Sequence, residues 1–321
     1  MAKRTKILLI IASVLTLLGC TIFAGGMSMM GWDFTKLSIG KPVTNTHSVS
    51  EQFQSISIHA SDADLVLVPA SDGVCKVVCQ ERENTKHSVT VENGVLTIQE
   101  VDERKWFEHI GFSFFSTKVT VYLPEQTYAK LLVRNSTGNV EVPKDMQFQN
   151  IDISVSTGDV TNLASSAGTL KIKADTGHIT VRDISAGAMD LSVSTGDILA
   201  ENIDCQGNMQ VRVSTGKAQL RNVRCQSFLS TGDTGDLFLD KVIVSEKLSA
   251  ERSTGDVKLD HCDAGEINIA TDTGDVSGSL LTEKIFMVRS DTGKIEVPKS
   301  TSGGICEIET DTGDIMINIK Q

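Results

Sequence analysis

Five copies of Asp-Thr-Gly stand in the carboxy-terminal half of the chain, with Asp175, Asp233, Asp272, Asp291 and Asp311 as their acids. In an aspartic protease this tripeptide supplies one of two carboxylates that share a proton. Here Ser stands in place of the acid at five further positions of the same periodic signature, as at Ser156 and Ser253. A catalytic pair is not copied five times with Ser interchangeable, so the motif does not encode a protease.

The residue after each Gly forms a second set of acids, and six of the ten are Asp. Calcium takes oxygen ligands of this kind. The acids that would line a calcium column are Asp256, Asp272, Asp275, Asp291, Asp311 and Asp314. Lys217 and Lys294 interrupt that column, and the Gly-Gly-x-Gly-x-Asp calcium roll is absent. Solvated turn residues account for the same pattern. No other metal site is expected. The six histidines lack metal-ligand spacing, and Cys75 and Cys79 are four apart with no matching His pair. No Ser-His-Asp elbow and no phosphate-cradling Gly loop occurs, so neither a catalytic residue nor a cofactor site is expected.

The spacing of the tripeptides says more than their chemistry. The signature Ser/Asp-Thr-Gly recurs every 19 or 20 residues, with its glycines at Gly138, Gly158, Gly177, Gly196, Gly216, Gly235, Gly255, Gly274, Gly293 and Gly313. A fixed period near 20 marks one unit stacked on copies of itself. Seven residues before each Gly the side chain is apolar, from Leu131 through Cys306, and two after it runs from Val140 through Ile315. Alternation with polar residues gives a period of two, which is strand geometry. Each coil therefore reads as a strand, a tight turn and a second strand. Gly supplies the positive φ of the turn, and the preceding Ser or Asp can close it. The fold class expected is an all-β, single-stack solenoid of about 13 coils, a right-handed parallel β-helix by the general handedness of parallel crossovers. Ser61-Asp62-Ala63-Asp64 reads as a degenerate corner, and Gly94 with Val89, Leu96 and Ile98 as another. Cys205 and Cys225 fall at equivalent places on adjacent coils, as stacked free thiols or as a disulfide.

The chain carries a net charge of −11, and its only charges before residue 33 are Lys3, Arg4 and Lys6. So acidic a remainder argues against nucleic acid as a partner, because phosphate binding needs clustered Lys and Arg. After those three basic residues the chain is apolar and uncharged to Trp32. That is long enough to span a bilayer, with the basic flank on the cytoplasmic side and the solenoid outside. A lipoprotein signal is the alternative, since Leu17-Leu18-Gly19-Cys20 resembles a lipobox with Cys20 as the lipidated residue. A cleaved signal peptide is a third reading. The divisions expected are an anchor over 1–32, a linker or leading strand over 33–50, irregular coils over 51–130 and regular repeats over 131–321. An aromatic insertion, with Trp106, Phe107, Phe112, Phe114 and Phe115, interrupts the irregular part. It suits either a cap on the open end of the stack or a contact for a partner or the membrane.

The apolar anchor, FQSISIHASDADLVLVP from Phe53, VTVYLPE from Val119 and the serial STGDV and DTGDI coils together resemble the bacterial putative-adhesin family of β-strand-repeat proteins. The resemblance covers about 270 residues. It implies an extracytoplasmic β-solenoid without an assigned enzymatic activity. The function expected is a non-enzymatic, membrane-anchored envelope protein for binding, adhesion or sensing, with an envelope protein or polysaccharide as partner. The alternatives are a carbohydrate-active β-helix enzyme, with Arg134, Arg212, Arg252 and Arg289 as candidate contributors, and a scaffold that polymerises end to end through an open last coil.

Overall fold

The computed structural model describes residues 3–32, 41–104 and 115–320. Among the described residues there is a single α-helix, Lys3–Met29, and the other regular elements are strands. Lys3 and Lys6 start the helix, and Trp32 follows it with positive φ.

The solenoid is built as the repeat requires. In a representative coil the strand Ile179–Thr195 runs into the corner at Gly196, and Ile198–Cys205 leaves it. Met189, Leu191, Val193, Ile198, Ala200, Ile203 and Cys205 face inward and are buried, while the residues between them face out. The next coil repeats this in parallel register, with Met189 beside Met209 and Ile198 beside Ala218. Each fully buried Leu, Ile or Val contributes about 1.5–3 kcal/mol, so the columns supply most of the stabilisation.

A second bend lies six residues after the signature Gly. Asp183, Asn202, Asn222, Lys241 and His261 all adopt φ between 50 and 55° there. These five coils thus bend twice, at the signature and six residues after it. The sequence reading treats this stretch as a looser connection, because the residues that make the bend are of four types.

At the amino-terminal end the strand Ser55–Pro69 already belongs to the stack. Its second half pairs in parallel with Thr117–Leu123 and Val140–Val142. Ala63 carries the corner below Gly138, as the degenerate signature predicts. Gly94 differs from its sequence reading. It forms, with Asn93, the tip of an antiparallel hairpin joining Thr85–Glu92 to Val95–Asp102, and both residues have positive φ. A two-residue Asn-Gly turn of that kind matches strand twist and folds the chain back on itself. Cys75–Arg82 is antiparallel to both Pro42–Val49 and Thr117–Leu123. The first part of the solenoid therefore has one further parallel level, Val95–Asp102 with Thr117–Leu123 beside Ser55–Pro69, and antiparallel strands extend it beyond that.

The carboxyl end departs from chain order. Gly304–Thr312 pairs with Val257–Thr273 on one side and Lys284–Thr292 on the other. Likewise Ile315–Ile319 lies between Val276–Leu280 and Ile295–Glu296. The last coil in sequence is the penultimate one in space, and the coil of Gly293 forms the open edge. This corrects the expectation that the final residues are that edge. There Phe286 and Val288 are only partly buried, and Ile295 is 43% exposed.

A Cβ built on Gly196 would overlap the carbonyl oxygen of Gly177, and the glycine's φ is 135°. Both the stacking and the dihedral exclude a side chain. Gly196→Ala is expected to lower stability by about 3–5 kcal/mol, read as a shift of the urea midpoint of the full chain. A loss under about 1 kcal/mol would contradict this account of the corner.

Candidate functional site

The corner is the most regular polar feature of the surface, and the structure assigns its acids a role. Each Gly N–H donates to the Thr carbonyl of the next corner, as from Gly196 to Thr215 at 2.9 Å. The residue after Gly then uses its side chain on the same neighbour. Asp64 Oδ1 accepts from the Asn139 N–H at 2.8 Å, Asn139 Oδ1 from Asp159, and Asp159 Oδ1 from His178. The ladder continues with Asp256 Oδ1 accepting from the Asp275 N–H at 2.9 Å, and Asp275 Oδ1 from the Asp314 N–H at 2.7 Å. Asp314 Oδ1 accepts from Lys294. Lys294 sits on the edge coil, where no further N–H needs an acceptor. Lys217 is the one internal residue that offers no acceptor, and its Nζ lies 3.8 Å from Asp236 Oδ2.

This ladder accounts for half of the calcium column. Asp256, Asp275 and Asp314 each commit one oxygen to the backbone of a neighbouring coil, while Asp272, Asp291 and Asp311 lie exposed two residues before Gly. Among the described residues these carboxylates form no group of three with mutually close ligand atoms. A shorter amide ladder marks the second bend, where Asn222 Nδ2 donates to Asn202 Oδ1 and Asn202 Nδ2 to Asp183 Oδ1.

The four arginines are not gathered. Arg134 makes a two-point contact to Asp152 at 2.9 and 3.0 Å, Arg212 pairs with Asp190, and Arg289 pairs with Asp291 and Glu309. They stand on separate coils. Arg252 points inward and is buried, donating to Ser230 Oγ at 2.7 Å and to the Glu251 carbonyl. Burial pulls its guanidinium down to about 10. Gly232 makes room for it, since a Cβ there would meet Arg252. The irregular Ser230/Gly232 coil is thus the socket for one buried cation.

Trp106, Phe107, Phe112 and Phe114 lie outside the described residues, and Phe115 is half-buried. Cys205 and Cys225 are buried free thiols. Burial pushes Cys225 up to about 12, with a further contribution from Cys205.

A polar cluster that spacing does not reveal lies inside the amino-terminal end. Cys79 and Glu81 alternate onto the inward face of Cys75–Arg82, and His87 faces them from Thr85–Glu92. One ligand atom of each residue lies within 4.8 Å of the other two. Glu81 Oε2 accepts from the His87 backbone N–H at 2.7 Å and lies 2.9 Å from His87 Nδ1. Asn45 Nδ2 donates to Glu81 Oε1 at 2.6 Å. The only sequence signal is a polar C-x-E on a strand whose other inward residues are apolar.

An apolar leading helix joined to a single stack of parallel coils, with glycine corners and side-chain ladders, defines an all-β solenoid of the strand-repeat class. The Toastrack DUF4097 family model matches residues 53–237 and 206–321, and the chain belongs to that family. No curated protein matches it. Among solved structures it is similar to a putative adhesin from Parabacteroides merdae, with 10% identity, TM-score 0.48, and coverage of 88% of this chain and 98% of the other. A putative adhesin from Parabacteroides distasonis shows 13% identity, TM-score 0.46, and coverage of 86% and 97%. A putative lipid binding protein from the same species shows 16% identity, TM-score 0.44, and coverage of 87% and 98%.

If the corner acids serve the stack, supplying the missing acceptor should stabilise it. Lys217→Asn is expected to add about 1 kcal/mol and Asp256→Ala to remove a similar amount, both measured by urea unfolding of the full chain. A Lys217→Asn variant that loses stability, or an Asp256→Ala variant that keeps it, would overturn the ladder.

Proposed function

We propose that this chain is a membrane-anchored envelope protein whose solenoid stands outside the cytoplasmic membrane and presents a repeated polar surface for binding, without catalysing a reaction. The observation that carries this reading is the leading helix. Thr5–Met29 comprises 25 residues, and an 18-residue stretch within it has a mean hydropathy of 2.6. Its apolar side chains lie uncovered, with Leu8 and Leu17 more than 60% exposed. Apolar surface of that extent needs lipid around it, and 25 helical residues exceed the roughly 30 Å of a hydrocarbon core. The basic residues at its start favour a cytoplasmic amino terminus.

The outer face supports binding over catalysis. Its arginines are neutralised by carboxylates of adjoining coils, and its corner acids are held by the ladder. The partner class proposed is an envelope protein or polysaccharide. With a tag after Gln321, the full chain should resist alkaline extraction from membranes and the tag should be reached by antibody on intact spheroplasts. Its mass should be that of the uncleaved chain. A soluble protein, or a tag reached only after lysis, would refute the proposed topology. A diacylglyceryl adduct on Cys20 would replace the helix by a lipid anchor.

A second reading, self-association, is favoured by the edge coil. Ile285 and Met287 stand exposed on its outer face beside Ile305 of the adjoining coil, and Met287 is 54% exposed. The strand Lys284–Thr292, paired on one edge only among the described residues, is a template for another chain. Light scattering of the full chain in detergent should then show a concentration-dependent mass that Met287→Lys reduces. A single monomer mass at high concentration would dismiss this reading.

A further inference from the structure

The interior of the solenoid is mostly apolar, with isolated buried polar residues such as Arg252 and a cluster of them at its amino-terminal end. Cys79, Glu81 and His87 are at most 3% exposed, and the side chains of Glu81 and His87 are fully enclosed. Five of the eight buried side-chain polar atoms without a partner among the described residues belong to His47, Arg82, Asn84, Thr85 and His87. Buried polar atoms are ordinarily paired, and a concentration of unpaired ones calls for an explanation. His87 Nε2 is one of them, while Nδ1 of the same ring faces Glu81.

Nothing in the fold demands these residue types. Inward positions of the neighbouring strands are filled by Val77, Leu96, Ile98 and Val121, all buried. A buried ionic pair is often no more stabilising than apolar residues of similar volume. What the three residues share is donor chemistry. A thiolate sulfur, a carboxylate oxygen and an imidazole nitrogen form the mixed set that zinc accepts, and the set disfavours calcium and magnesium, which take oxygen. With a divalent ion, one thiolate, one carboxylate and a neutral imidazole sum to zero charge, as an enclosed site of low dielectric requires.

We propose that Cys79 Sγ, the Glu81 carboxylate and a ring nitrogen of His87 bind a divalent transition metal ion of the zinc class inside the amino-terminal end of the solenoid. Binding forms a metal–sulfur bond, and the thiol proton leaves to solvent. The imidazole binds as a neutral ring, so a proton held on it leaves as well. Without metal, burial and then the neighbouring Glu81 charge hold the Cys79 thiol up at about 12, so the ion must supply the drive to deprotonate it. The ion would tie Cys75–Arg82 to Thr85–Glu92, which share a single backbone pairing, Arg82 with Thr85. The role is structural, because the cluster is closed to substrate.

The test uses the full chain in detergent with Cys20→Ser, stripped by chelator, and takes Zn2+ and Co2+ as probes. One equivalent of Zn2+ should bind and raise the thermal midpoint, and chelator should reverse the rise. Co2+ should give a thiolate-to-cobalt charge-transfer band that is lost in Cys79→Ser and kept in Cys75→Ser. His87→Gln should weaken Zn2+ binding at least about tenfold. Cys79→Val restores an apolar inward residue and guards against misfolding: it should keep the strand circular dichroism while losing the band. A folded, metal-free wild type that takes up no stoichiometric Zn2+, or a band that survives Cys79→Ser, overturns the proposal.

Discussion

The stack rests on how closely one corner approaches the next. The carbonyl of each corner glycine occupies the space where the next glycine would carry a side chain. That approach lets the Gly N–H reach the neighbouring Thr carbonyl at 2.8–3.0 Å, corner after corner. It also brings the following Asp or Asn within reach of the next backbone N–H. With the corners locked, adjacent strands fall into parallel register at about 4.8 Å, and the apolar positions line up as continuous columns. Loosening one corner would offset every column on both sides of it.

The polar side chains divide into two populations with different energetic weight. Those of the corner and second-bend ladders satisfy backbone or amide groups that would otherwise lack partners, which is worth more than an exposed ion pair. Pairs such as Arg182 with Glu201 and Lys247 with Glu266 lie on the solvated face and contribute little individually. Their effect is to distribute charge evenly over a strongly acidic chain. Inside, polarity is admitted where geometry provides for it, as where Gly232 and Ser230 accommodate Arg252.

Much of this was legible in the sequence, because the repeat writes each inward position ten times. The corner glycines, the apolar columns and even the Ala63 corner follow from counting outward from each Gly, and the leading helix from its uncharged apolar run. The second bend was not legible, since left-handed geometry there is met by Asp183, Asn202, Asn222, Lys241 and His261 alike. Gly94 misled because a hairpin and a coil corner both place a glycine between alternating strands. The Cys79, Glu81 and His87 cluster was hidden for a related reason. Antiparallel packing of Cys75–Arg82 against Thr85–Glu92, and not linear spacing, brings it together. The inserted final coil left one clue, the Lys294 that needs to accept nothing.

That insertion bears on how the molecule is made. A solenoid whose levels follow chain order can grow from its first coil as the chain emerges, each new level settling on the one before. Here the level of Gly293 emerges before the level on which it must rest. It can reach its place only after the final fifteen or so residues have slid between it and the coil of Gly274. The far end of the rod is therefore completed in a single late event, and a chain released short of its terminus would lose two levels at once.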